Sequence, residues 1–151
     1  MHSTKTPELR PVKQPETTPE RPVTAPIGVF DSGMGGLTVA RAIRHLLPAE
    51  SLVYFGDTAH LPYGDKSPET LRGYVGHIAD FLVNQGVKAL VVACNTASAV
   101  ALDAALVAGQ RAGIPVFEVI SPAVEAAVSA THNQRIGIIG FSAGGTVTAS
   151  V

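Results

Sequence analysis

From Pro26 onward the chain alternates short apolar runs with helically spaced segments, and this alternation constrains the fold more than any other feature. Ile27–Phe30 is a short apolar strand, and Leu37–Leu47 has helical spacing with Val39, Ala40, Ile43, Leu46 and Leu47 apolar. Ser51–Phe55 reads as a second strand, followed by a long loop, Gly56–Pro68. Glu69–Gln85 reads as a helix with Leu71, Val75, Ile78, Phe81 and Leu82 on one face. Lys88–Ala93 is continuously apolar after its first residue, the pattern of a strand buried on both faces. Helix Asn95–Ala112, strand Val116–Ile120, helix Ser121–Ala130 and strand Ile136–Ile139 complete the series. Strict strand–helix alternation predicts an α/β fold, a parallel sheet flanked by helices.

Residues 1–26 have a different texture. They hold six of the eleven prolines, no glycine, mixed charges and few apolar side chains. Such a segment buries too little surface to offset its ordering entropy, so it is expected to be a disordered, polyproline-leaning tail. The rest is core-forming: 46% of the 151 residues are hydrophobic and 15% charged, against roughly 25% charged in typical soluble chains.

Charge and cysteine content narrow the function. A net charge of −1 lacks the basic excess of a general nucleic-acid or membrane-surface binder. No run reaches the ~18–20 apolar residues of a membrane span, and no apolar secretory h-region opens the chain. One cysteine excludes an internal disulfide, a CxxC redox pair and a multi-cysteine metal site, and suits a reducing cytoplasm. The oligomeric state stays open, with a homodimer among the options.

Ligands of open α/β sheets bind beyond the carboxyl ends of the strands. Three loops there carry candidate chemistry. Asp31-Ser32-Gly33-Met34-Gly35-Gly36 lets backbone N–H groups turn toward a ligand, but it is neither GxGxxG nor a Walker loop. It reads either as a tight turn capped by Asp31 or Ser32, or as a site where Asp31 holds an ammonium group. Gly56–Gly64 brings Tyr63, with a hydroxyl, and Gly64, with an accessible N–H; His60 reads as a surface histidine. Ala93-Cys94-Asn95-Thr96 puts Cys94 where a strand meets a helix N-terminus, a position that favours thiolate over thiol. A lone cysteine after an apolar strand is more often a packed core residue, but polar Asn95 and Thr96 tilt this one toward a site.

Taken together, IGVFDSGMGGLTVARAIRHLLP, YFGDTAHLPYG and ALVVACNTASAVALD resemble the glutamate racemases of the cofactor-independent aspartate/glutamate racemase superfamily. The resemblance covers about residues 27–140. It implies an enzyme that interconverts L- and D-glutamate without cofactor or metal and supplies D-glutamate for peptidoglycan. Asp31 and Ser32 would bind the α-amino and neighbouring polar groups, and Tyr63 and Gly64 a carboxylate. Cys94 would be one of two acid/bases, and Asn95 and Thr96 would hold the substrate by hydrogen bonds.

The resemblance also implies two similar α/β domains around the substrate. On that basis residues 27–115 form the first domain and residues 116–151 a truncated start of the second. The second cysteine, in a motif resembling G-C-T-H, is absent. Such a chain is expected to be a truncated or fused form with impaired activity, or else a non-catalytic amino-acid-binding fragment. The chain ends instead on Gly140-Phe141-Ser142-Ala143-Gly144, which fits the G-x-S-x-G nucleophile elbow of α/β-hydrolases. Only seven residues follow Gly144, none acidic and none histidine, so Ser142 has no downstream base.

Overall fold

The computed structural model describes residues 21–133 and 135–137. Four strands, β1 (Ile27–Asp31), β2 (Leu52–Gly56), β3 (Ala89–Val92) and β4 (Val116–Glu118), form one parallel sheet in the order β2-β1-β3-β4. The helices are α1 (Leu37–Leu46), α2 (Pro68–Asn84), α3 (Asn95–Val100), α4 (Leu102–Ala112) and α5 (Ile120–Ala130). Two single-turn 3₁₀ segments, Thr58–His60 and Tyr63–Asp65, shape the long loop after β2.

β1 and β3 are the inner strands, and every residue of both is buried, as continuous apolar character requires. One face of the sheet packs Phe30, Leu90 and Val92 against Leu71, Val75 and Leu82 of α2 and Ala97, Ala105 and Ala108 of α3 and α4. The opposite face packs Val29, Ala89 and Val91 under α1, chiefly through Ala40. α2 begins where the sequence supplies the signals: Ser67 caps it by accepting from the Thr70 N–H at 3.2 Å, and Pro68 occupies its first turn. Arg72 and Arg111 pair with Asp103 and Asp80 across the α2–α4 contact.

The elements depart from the sequence reading in several places. Phe81, expected on the buried stripe of α2, is 46% exposed and turns aside to meet Phe55, ring centroids 5.5 Å apart. Leu46 and Leu47 of the α1 region are also exposed, because a helix over a sheet buries only the stripe it lays down. The expected helix Asn95–Ala112 is two helices that break at Ala101 (φ −140°, ψ 14°). β4 pairs with β3, Leu90 opposite Val116, so the sheet runs past the division expected at residue 115.

Both chain ends bear on the expectations. Within the segment expected as a tail, Ala25 is buried, its N–H bonds the Pro22 carbonyl at 2.8 Å, and Arg21 donates to the Val83 carbonyl. Residues 1–20 lie outside the described residues, as does the Gly140–Gly144 elbow with Ser142. Of the expected strand Ile136–Ile139, Ile136 and Gly137 carry no strand pairing and the remainder lies outside the described residues.

Candidate active site

The chain leaves β1 for β2 at one edge and reaches β3 on the other side, so the connections diverge between β1 and β3. Open α/β sheets bind ligands at such a point. A cleft of about 530 Å³ opens there, at the carboxyl ends of β1 and β3.

The β1 side is built by Asp31. Its carboxylate is buried and Oδ2 accepts the N–H groups of Gly33 at 3.2 Å and Gly36 at 3.0 Å. The loop is thereby curled around the acid that precedes it, and two otherwise orphaned N–H groups gain an acceptor before α1. Gly36 permits this approach, since a Cβ there would lie 2.6 Å from Asp31 Cβ and 3.0 Å from Ala93 Cβ. Gly56 does the same from β2, where a Cβ would lie 2.5 Å from the Gly33 carbonyl oxygen. Tyr54 on β2 donates to that carbonyl at 3.0 Å, and the Asp57 N–H bonds the Asp31 carbonyl at 2.9 Å. Burial, with the negative ends of Asp31 and Cys94 nearby, raises the Tyr54 phenol above its usual 10, which keeps it a donor.

The β3 side is built by Cys94. It is the residue before α3, is 4% exposed, and its Sγ accepts the Ala97 N–H at 3.4 Å. Its thiol also lies 3.4 Å from Ser32 Oγ, in a bond that crosses from one loop to the other. Asn95, exposed, and Thr96, half-buried, follow on the first turn of α3.

Five of the residues singled out from sequence, Asp31, Ser32, Cys94, Asn95 and Thr96, therefore line one cleft. Tyr63 and Gly64 do not line it. Tyr63 is 2% exposed, and its hydroxyl, expected to face a carboxylate of a substrate, donates instead to Asp57 Oδ2 at 2.7 Å. Burial and that bond raise its phenol well above the ordinary value. His60 is at the surface as expected, but it is not idle: Nδ1 lies 2.7 Å from Asp57 Oδ1 and its ring stacks on Tyr74 at 4.1 Å. Sequence reasoning passed over Asp57 and Tyr54. The signal for Asp57 was an acid directly after a strand with a histidine three residues on. Tyr54 gave no signal beyond the alternation of its strand.

Among the described residues, no three His, Cys, Asp or Glu side chains cluster as metal ligands would, and no helix is long and apolar enough to cross a membrane.

A parallel sheet whose inner strands end in an acid-curled glycine loop and a buried thiol defines an α/β protein with a cleft between those two strand ends. Residues 27–149 match the family described as Asp/Glu/hydantoin racemase, and the chain belongs to that family. It is 56% identical over 119 residues to the glutamate racemases of Beutenbergia cavernae and Mycobacterium avium, alignments that cover 79% of this chain. Among solved structures, glutamate racemase from Aquifex pyrophilus superposes with a TM-score of 0.72 at 48% identity, over 78% of this chain and 45% of that one. Glutamate racemase from Francisella tularensis in complex with D-glutamate gives 0.64 at 45% identity, over 70% and 40%. The chain spans 41–42% of the length of the Beutenbergia and Mycobacterium relatives.

Proposed function

We propose that this chain forms one wall of a glutamate racemase site, in which Cys94 moves the α-proton of glutamate on one face. The observation that carries the reading is the single cleft shared by Cys94, Asp31, Ser32, Asn95 and Thr96. Inverting a Cα requires removing a proton from one face and delivering one to the other, so two bases must flank the carbon. The thiolate of Cys94 takes the proton, and the developing carbanion is held by hydrogen bonds to the substrate carboxylate from the first turn of α3. Asp31 holds the ammonium group and Ser32 a neighbouring polar group, while Tyr63 and Gly64 shape the far rim where the second carboxylate sits. No cofactor or metal enters this chemistry.

The sequence contains one cysteine, so the chain by itself supplies one of the two bases. In the cytoplasm, the complete reaction supplies D-glutamate to peptidoglycan synthesis. The test is incubation with D- and L-glutamate separately in D₂O, with NMR following deuterium at Cα. Exchange that falls at least ~100-fold in Cys94→Ser supports the reading. Calorimetric binding of glutamate with no exchange would replace it by a non-catalytic amino-acid-binding role.

A further inference from the structure

Beside the cleft, the long loop after β2 encloses a cluster centred on Asp57, a residue to which the proposed chemistry gives no role. Asp57 is 6% exposed, and a buried carboxylate is costly unless it is paired and hydrogen-bonded. Here Tyr63 donates to it at 2.7 Å, and His60 Nδ1 lies 2.7 and 2.9 Å from its two oxygens. A carboxylate only accepts, so Nδ1 carries the proton and Nε2 is turned away from the acid.

These bonds tie together parts of the molecule that are distant in sequence. The Asp57 N–H anchors it to Asp31 at the end of β1. Tyr63 is packed in the same core cluster as Cys94 and Ala97, against the start of α3. His60 is stacked on Tyr74 of α2. Between these two anchors lies Leu61, half-exposed, which lines the cleft and sits 3.6 Å from the position a Cβ would take on Gly33. The intervening chain has no strand pairing, so side chains rather than a ladder hold this rim.

We propose that Asp57 is a positioning residue: acting through Tyr63 and His60, it fixes the Leu61–Gly64 segment as the rim that receives the substrate. It sets how well the cleft binds glutamate and leaves the reactivity of Cys94 unchanged. The identity of that substrate rests on the glutamate racemase reading above.

The experiment compares the whole chain with Asp57→Ala, Asp57→Asn, Tyr63→Phe and an Arg72→Ala control. Three quantities are read: calorimetric affinity for glutamate, the rate of Cys94 alkylation by iodoacetamide, and amide exchange of residues 58–66. Asp57→Ala and Tyr63→Phe are expected to weaken glutamate at least tenfold and speed exchange in 58–66. Cys94 alkylation stays within twofold of the parent. Asp57→Asn keeps an acceptor for Tyr63 and is expected to recover affinity to within threefold. Unchanged affinity in Asp57→Ala and Tyr63→Phe overturns the proposal. So does a loss shared equally by Asp57→Asn and accompanied by faster exchange throughout the sheet, which marks a purely structural acid. If Asp57→Ala fails to fold, Tyr63→Phe and Asp57→Asn decide. If the parent chain binds no glutamate, the racemase reading fails, and amide exchange alone decides: faster exchange confined to 58–66 sustains the rim anchor, and unchanged exchange removes it.

Discussion

At the scale of single residues, a motif specifies chemistry more readily than direction. Asp31, Ser32, Cys94, Asn95 and Thr96 follow directly on strand ends, where the fold dictates that side chains face the cleft, and all five line it. Tyr63 lies seven residues beyond its strand, in a loop whose path depends on Asp57, and its phenol points inward. Its environment has a consequence at alkaline pH. The folded state holds the Tyr63 phenol well above its unfolded value of 10.0, through burial first and the Asp57 bond second. The stability this contributes is full below pH 10 and is lost as pH rises beyond it, by roughly 1.4 kcal/mol per pH unit. Urea unfolding between pH 8 and 11 is expected to show that decline in the parent and a shallower one in Tyr63→Phe, which is itself about 2 kcal/mol less stable at pH 8. Gly36 offers a second check. The Cβ of Gly36→Ala would press on Asp31 and Ala93, so the variant is expected to lose about 1–3 kcal/mol in the same assay.

At the scale of elements, periodicity located the four strands and α1, α2 and α5 to within two residues, and erred where tertiary packing overrides propensity. Nothing in the run from Asn95 to Ala112 breaks a helix: it holds neither proline nor an early glycine. The break at Ala101 arises because α3 is tied to Cys94 and the cleft while α4 lies along α2, and a fully buried alanine can take the extended φ without a side chain in the way. The cap of α5, by contrast with its position, was invisible. Glu118, the last residue of β4, turns its carboxylate onto the new helix and accepts the Ile120 N–H and, at 2.8 Å, the Ser121 N–H. Burial opposes its ionisation, but bonds from the Ser121 side chain and from these two N–H groups outweigh it and hold the carboxyl below 4.5. A lowered folded value contributes stability that is present above pH 4.5 and lost as pH falls through the folded value. Glu118→Ala is expected to cost at most about 1 kcal/mol at pH 7 and to flatten the acid limb of a thermal-melting series from pH 6 to 3.

At the scale of the whole molecule, alternation gave the parallel sheet, and the position of the cleft followed from the topology rather than from any motif. The extent of the sheet did not follow, because a three-residue strand such as β4 reads the same whether it ends one sheet or opens another. The same scale governs the stereochemistry expected of the chain. Cys94 approaches the cleft from the β3 side only, held there by the Ala97 N–H and Ser32, and the sequence offers no second thiol. A substrate seated by its ammonium group on Asp31 and its carboxylate near α3 presents one face to Sγ. The enantiomer whose α-hydrogen lies on that face exchanges; its mirror image, seated by the same groups, directs the hydrogen away. Deuterium uptake is therefore expected to favour one isomer of glutamate by at least ~100-fold, the lower end of what one well-placed proton-transfer group contributes, with no inversion by chiral chromatography. Equal uptake by both isomers together with inversion would show that a second base reaches the carbon. A rate rising with the square of protein concentration would place that base on a second copy of the chain, and a linear rate would place it within the single chain, against the one-thiol mechanism.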